Sequence, residues 1–324
     1  MRVVVVGLGS MGKRRIRLIK QIDESIEIFG VDARMDRRNE AEEKFGIASF
    51  ENLGEALNMQ CDCAFICTSP LSHADIIEKC LQAEVNVFTE INLVCDKYDS
   101  NIALANKNGC VLFLSSTFLY RDEIRYIREK VRQSNSILSY TYHVGQYLPD
   151  WHPWESYKDY FIGDSRTSGC REIMAIDLPW IYKTFGPIKS VRHLCEKKTE
   201  LNTTYPDGYL LLIEHENGTQ GTMAVDVISR KAVRNFEVFA EDLYLTWDGT
   251  VTGLKEYNID TKTEETIKLY DNVDTLDGYA NFTVENAYKN EVEAFFNIIN
   301  SNSTVDYGFE EDKVILSIID DIEK

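Results

Sequence analysis

The chain has 324 residues, enough for two domains at about 150 residues each, and its 44% hydrophobic and 27% charged residues exclude wholesale disorder. Its 53 acidic against 35 basic side chains leave a net charge of −18. Such a surface repels phosphate backbones and anionic lipid, which argues against nucleic-acid and membrane partners.

The first third alternates short apolar runs with amphipathic stretches. Strands are expected over residues 3–6, 26–31, 64–67, 85–88 and 111–114. Between them, helical spacing or helix-favouring composition covers 10–22, 40–45, 70–83 and 98–108. Pro70 suits the first helical position and Gly109 a helix stop. Near-continuous apolar strands separated by helices imply a parallel sheet covered on both faces. Beyond Phe118 the pattern changes. A charged helix is expected over 121–132 and a strand over 137–147, followed by the aromatic loop Tyr147-Leu148-Pro149-Asp150-Trp151-His152-Pro153-Trp154. A helix over 172–185 stops at Gly186-Pro187. From 188 to 252 apolar runs alternate with turn residues, and Asn217-Gly218 and Asp248-Gly249 suit hairpins. Helices over 284–299 and 310–323 close the chain. The fold class read from this pattern is α/β: a doubly wound parallel-sheet domain over 1–120, then an α+β domain with a mostly antiparallel sheet over 121–324.

The eight cysteines read as free thiols in a reducing, cytoplasmic setting. Cys61, Cys63 and Cys67 lie on or beside one apolar run, where Cys61 and Cys63 share a face as packing residues. No second ligand pair at matching spacing accompanies them, so no metal site is expected. The start of the chain is too short an apolar run for a signal peptide.

Gly7-Leu8-Gly9-Ser10-Met11-Gly12 fits the pattern G-x-G-x-x-G between the first strand and the first helix, and Asp32 ends the next strand. In that setting the pattern is a dinucleotide-binding (Rossmann) fingerprint. Gly7 permits the tight turn, Gly9 lets a diphosphate approach the backbone, and Gly12 lets helix and strand pack closely. The helix N-terminus, with Ser10 and Met11, presents N–H groups and partial positive charge to the diphosphate. Asp32 suits the ribose hydroxyls and would repel a 2′-phosphate, which favours NAD. Arg34, Arg37 and Arg38 follow closely, so a guanidinium such as that of Arg34 leaves NADP open. Ligands bind outside the C-terminal ends of parallel strands, where Thr68, Ser69 and Pro70 lie with His73 shortly after, and where Glu90 and Asn92 follow the strand over 85–88.

These features resemble the glucose–fructose oxidoreductase/inositol dehydrogenase (Gfo/Idh/MocA) family over nearly the whole length. The resemblance rests on the glycine motif, on Thr68-Ser69-Pro70 with His73, on Phe88-Thr89-Glu90, and on the helix ending Phe185-Gly186. It implies an NAD(P)-binding domain and a sheet domain that carries substrate and an oligomer interface. It also implies hydride transfer to or from sugars, cyclitols and their derivatives. The family pattern has Glu-Lys-Pro where this chain has Glu90-Ile91-Asn92, and an Asp and a His where it has Glu172 and Ile176. Both usual proton-transfer positions are therefore apolar here, and isoleucine moves no proton.

The proton must then come from elsewhere. His152, an imidazole titrating near neutrality within an aromatic loop, and Glu172, at a helix start, are the candidate catalytic groups. Trp151, Trp154, Tyr157 and Arg171 are the candidate substrate-binding residues. For the tryptophans the alternative is core anchoring, and for Glu172 it is helix capping. The expected function is an NAD(P)-dependent oxidoreductase acting on a sugar-like small molecule with a non-standard proton-transfer set. The alternative is a non-catalytic dinucleotide-binding sensor or scaffold. An open sheet face in the second domain points to a homodimer or homotetramer.

Overall fold

The computed structural model describes residues 1–152, 155–271, 284–301 and 304–324. Two compact units emerge: Met1–Ser116 with Tyr288–Val314, and Thr117–Ala287 with Ile315–Lys324. The sequence pattern assigned all of 121–324 to one domain; the structure returns 288–314 to the first unit.

The first unit runs β1 (Arg2–Val6), α1 (Ser10–Ile22), β2 (Glu27–Val31), α2 (Met35–Phe45), β3 (Ala48–Phe50), α3 (Leu53–Leu57), β4 (Cys63–Ile66), α4 (Pro70–Gln82), β5 (Asn86–Thr89), α5 (Tyr98–Asn108) and β6 (Leu112–Leu114). These strands form one parallel sheet in the order β3-β2-β1-β4-β5-β6. The strand order reverses between β1 and β4, which opens a crevice at their C-terminal ends, beside the glycine turn. The short β3 and α3 lack the periodic signal of the longer elements. The second helix begins five residues before its expected start, at Met35.

The second unit begins with α6 (Asp122–Gln133) and β7 (Ser139–Gly145), and continues with α7 (Gly169–Phe185) and β8 (Ile188–Glu196). Next come β9 (Gly208–His215), β10 (Gln220–Asp226), β11 (Val233–Phe239), β12 (Tyr244–Trp247), β13 (Lys255–Asn258) and β14 (Thr263–Thr266). They pair as one sheet in the order β14-β13-β12-β11-β7-β10-β9-β8. Only β7 and β10 run parallel among the described pairs. Asn217-Gly218 makes the expected hairpin, with Gly218 at φ +89°. Asp248-Gly249 instead opens a longer connection before β13. The helices α8 (Glu285–Ser301) and α9 (Phe309–Ile322) end the chain.

Period-two alternation decides which side of the second sheet is covered. Tyr140, Tyr142 and Val144 of β7 and Tyr209, Leu211 and Ile213 of β9 are buried. Trp180 of α7 meets Tyr142 and Phe236 edge-on at 5.4 and 5.1 Å. Phe185 stacks on Tyr140 at 4.5 Å. The opposite face keeps Leu194, Leu210 and Leu212 exposed, at 73%, 52% and 52%.

Candidate functional site

The glycine turn separates into residues the fold requires and one it does not. Gly7 has φ +92°, and a Cβ there would lie 2.7 Å from the Cys67 carbonyl oxygen. A Cβ on Gly12 would stand 1.9 Å from the Gly7 carbonyl oxygen, so α1 presses backbone to backbone on β1. Gly9 has a negative φ and, for a Cβ, only the Arg37 guanidinium, at 3.5 Å. Neither conformation nor packing demands glycine there, and its absence of a side chain leaves the backbone of the turn open to approach. Gly9 is the N-cap of α1, with no side-chain cap and no acid in the first turn. Ser10 is exposed and Met11 half-buried in that turn. The end therefore keeps its positive character for a diphosphate, so the turn fits the group its pattern implies.

Asp32 accepts hydrogen bonds from the backbone N–H groups of Leu8 at 2.8 Å and Arg34 at 2.9 Å, one to each oxygen. That holds the carboxylate at the turn with lone pairs left for ribose hydroxyls. The three nearby arginines part ways. Arg34 turns to Asp36 at 2.5 Å. Arg38 donates to the carbonyls of Asp32 and Ala33 at 2.7 and 3.1 Å. Arg37 alone sits between the acid and the turn, 3.6 Å from Asp32 and over Gly9. Of the three arginines that leave NADP open, Arg37 is thus the one placed beside both Asp32 and the glycine turn, while Arg34 is held by Asp36.

At the end of β4, Thr68 lies beside Gly7, Ser69 is the N-cap of α4 and Pro70 its first residue. The Ser69 side chain makes no capping bond; Ser72 donates to the Ser69 carbonyl at 2.7 Å or to Thr68 Oγ1 at 2.8 Å. His73 is buried, with its ring nitrogens 2.8 Å from Asn92 Oδ1 and 3.0 Å from the Thr68 carbonyl. Burial pushes the His73 imidazole pKa below its ordinary value. His73 and Asn92 thus tie the loops after β4 and β5 together from beneath. Glu90 is also largely internal. Arg15, fully buried on α1, donates to both Glu90 oxygens at 2.7 and 3.1 Å and to Glu291 of α8 at 2.9 Å. Glu291 in turn accepts from the Ser116 N–H at 2.6 Å. The sequence reading missed Arg15, although it lies on the same helical stripe as Leu18, Ile19 and Ile22.

In the second unit, Ser168 caps α7 by accepting from the Arg171 N–H at 3.2 Å. Capping is thereby taken from Glu172. Its carboxylate makes no hydrogen bond or ion pair with any described residue, and desolvation pushes its pKa up to about 7. Glu172 and Ile176, four apart, are half-buried, whereas every other position from Gly169 to Ile181 is buried. They mark the outward face of the helix. His152 stacks on Tyr160 at 4.5 Å between ring centroids and pairs with Glu155 at 2.8 Å. The Tyr160 hydroxyl is buried with no hydrogen-bond partner among the described residues. Its pKa is raised by desolvation first and by the charge of Glu172 second. His152 and Tyr160 thus stack in a setting that feels the charges of Glu172 and Glu155.

The predicted substrate-binding residues do not all join it. Arg171 is buried and pairs with Asp320 at 2.6 Å and with Glu323, so its role in this structure is to fasten α7 to α9. Tyr157 accepts the Asn202 N–H at 3.0 Å, which holds the chain before β9. Trp151 donates to the Gln146 carbonyl at 3.1 Å and packs towards Gly169. Trp154 lies outside the described residues. Cys63 and Cys80 are fully buried and Cys61 nearly so, as packing residues. Among the described residues no group of three or more His, Cys, Asp or Glu side chains is placed to hold a metal ion. No helix among them is long and apolar enough to cross a membrane.

Residues 1–116 match the family model of an oxidoreductase family with an NAD-binding Rossmann fold, Gfo/Idh/MocA. A myo-inositol 2-dehydrogenase of Thermotoga maritima is 27% identical over 135 residues, 40% of this chain; the match spans 40% of that relative's length. Two solved structures share the whole-chain fold. The UDP-N-acetylglucosamine 3-dehydrogenase of Acidithiobacillus ferrooxidans has a TM-score of 0.76 at 19% identity, covering 99% of this chain and 96% of that one. The WlbA dehydrogenase of Bordetella pertussis, in complex with NADH and UDP-GlcNAcA, has a TM-score of 0.75 at 15% identity, covering 99% and 95%. Over residues 1–116 the chain is thus similar to the NAD-binding Rossmann domain of the Gfo/Idh/MocA oxidoreductases, and over its whole length it shares their fold.

Proposed function

We propose that the protein is an NAD(P)-dependent oxidoreductase that moves a hydride to or from a carbinol carbon of a sugar, cyclitol or sugar derivative. In this reading Glu172 moves the matching proton, while His152 and Tyr160 shape its surroundings. The first unit would hold the nucleotide: Gly9 and the start of α1 at the diphosphate, Asp32 and Arg37 at the adenosine ribose. The nicotinamide supplies or receives the hydride when the nucleotide is bound. The proton on the substrate oxygen needs a group that exchanges it near neutral pH. The observation that carries the reading is the unpartnered Glu172 carboxylate, with its pKa raised to about 7 on the outward face of α7. The relatives named as inositol and UDP-sugar dehydrogenases support the sugar-like substrate class.

The test is turnover of cyclitols, hexoses and nucleotide sugars with NAD or NADP, followed at the nicotinamide absorbance. Oxidation should rise with pH through about 7 as Glu172 ionises, and reduction should fall through the same range. Glu172→Gln should lose at least a hundredfold in kcat and flatten that limb. Nucleotide binding without turnover on any member of the panel would favour the sensor or scaffold reading. The reading also includes a second copy of the chain paired through the open sheet face, and a cytoplasmic setting, which the burial of Cys61, Cys63, Cys80 and Cys170 as packing groups supports.

A further inference from the structure

We propose that Arg230 and Lys231, on the loop between β10 and β11, form an anion subsite that takes the phosphate of a phosphorylated or nucleotide-linked sugar. This deepens the reading above and rests on it. The chain carries a net charge of −18, and many of its surface cations, exposed or half-buried, are paired: Lys13 with Glu40, Lys97 with Asp75 and Glu78, Lys189 with Glu214, Lys255 with Glu264. Arg230 and Lys231 are adjacent and exposed, and neither pairs with a carboxylate among the described residues.

The loop that carries them is fixed from below. Asp226 is the acid nearest in sequence, and its carboxylate is occupied. One oxygen accepts the N–H groups of Ile228 at 3.0 Å and Ser229 at 2.7 Å, and the other meets Ser229 Oγ at 3.0 Å and His143 Nε2 at 2.8 Å. The Arg230 guanidinium lies over the Tyr147 ring, 3.7 Å from its centroid. Stacking on an aromatic face restrains a guanidinium while its in-plane N–H donors stay available, the arrangement suited to a phosphate.

Place ties this pair to the His152 segment and Glu172. The N–H groups of Gln146 and Leu148 donate to the carbonyls of Asp226 and Val227, at 3.3 and 2.9 Å, so the loop and the aromatic segment carrying His152 are laced together. Gly169, three residues before Glu172, packs against Val227, Leu148 and Trp151 so closely that a Cβ there would lie 2.9 Å from Val227. A substrate whose carbinol reaches Glu172 therefore has two unpaired cations within the same assembly of loops.

The experiment is calorimetry on protein saturated with NAD, so that the nucleotide site is filled, titrated with UDP, inorganic phosphate and glucuronate. UDP should bind, with affinity falling as salt rises. The Arg230→Ala/Lys231→Ala variant should bind UDP at least tenfold more weakly while its NAD affinity stays within twofold, and Arg230→Lys should recover part of the loss. Phosphate binding alone at lower affinity still supports the subsite. Equal UDP affinity in wild type and double variant, glucuronate binding without UDP or phosphate, or no binding of any of the three would overturn it. Oxidation of a neutral cyclitol by a protein that takes neither UDP nor phosphate would overturn the subsite and leave the dehydrogenase. UDP binding without turnover of any sugar would do the reverse.

Discussion

Gly9 and Gly12 look identical in the sequence and do different work. Gly12 answers to the fold, because a Cβ there meets backbone at 1.9 Å, whereas Gly9 answers to whatever approaches the turn. Gly12→Ala should lower stability by about 1–3 kcal/mol or more, since an immovable carbonyl stands in the way. Gly9→Ala should melt near the wild-type temperature yet bind NAD at least tenfold more weakly. Thermal denaturation and calorimetry on the two variants separate these outcomes, and a Gly9→Ala protein with full NAD affinity would remove the turn from the site. The motif was legible because its spacing is local. The division of labour within it was not, because it depends on Cys67 and Arg37, which the chain brings in from elsewhere. The same holds for the arginines after Asp32: three similar side chains in five positions, separated only by which partner each one reaches.

Among the elements, α1 carries a charge where its stripe should be apolar. Arg15 is fully buried between Glu90 at the end of β5 and Glu291 of α8, with its guanidinium 4.5 Å from the centre of the Phe88 ring. Removing one partner from such a cluster strands the others, at a cost of about 3–5 kcal/mol. Arg15→Ala should lose stability of that order in denaturant unfolding at neutral pH. The deficit should narrow towards acid pH, because Glu291, already pushed above its ordinary range by burial, takes up a proton and ceases to be a stranded charge. A deficit independent of pH would mean that packing, not charge, holds the cluster. The strands and long helices of the first unit were readable from periodicity, and the resemblance reached the same architecture. What escaped was non-local: that 288–314 return to the first unit, that Arg15 finds two acids far along the chain, and that Ser168 rather than Glu172 caps α7. A sequence shows which carboxylates exist, and only the fold shows which one is left without a partner.

At the scale of the whole molecule, the outer side of the second sheet presents exposed leucines among the described residues. Leu194, Leu210 and Leu212 stand exposed on neighbouring strands β8 and β9. Contiguous apolar surface of this kind commonly marks association. The proposed second copy brings its own charge of −18, so pairing works against mutual repulsion and should tighten as salt screens it. Light scattering should give a multiple of 37.2 kDa for the native chain, and Leu210→Glu/Leu212→Glu should return it to a single copy with the same melting behaviour. A native chain already at one copy would remove the interface.

The parallel pairing of β7 with β10 has a consequence for how the protein is made. β7 ends at Gly145 and waits for β10, which begins at Gln220, before its ladder on that side can close; its other neighbour, β11, arrives later still. At ribosomal rates of about 5–20 residues per second, this central strand emerges with both edges bare for roughly 4–15 seconds. Nascent chains of this protein therefore pass through an interval in which a strand carrying two tyrosines and a valine is open to the wrong neighbour, and chaperone demand should concentrate in that interval.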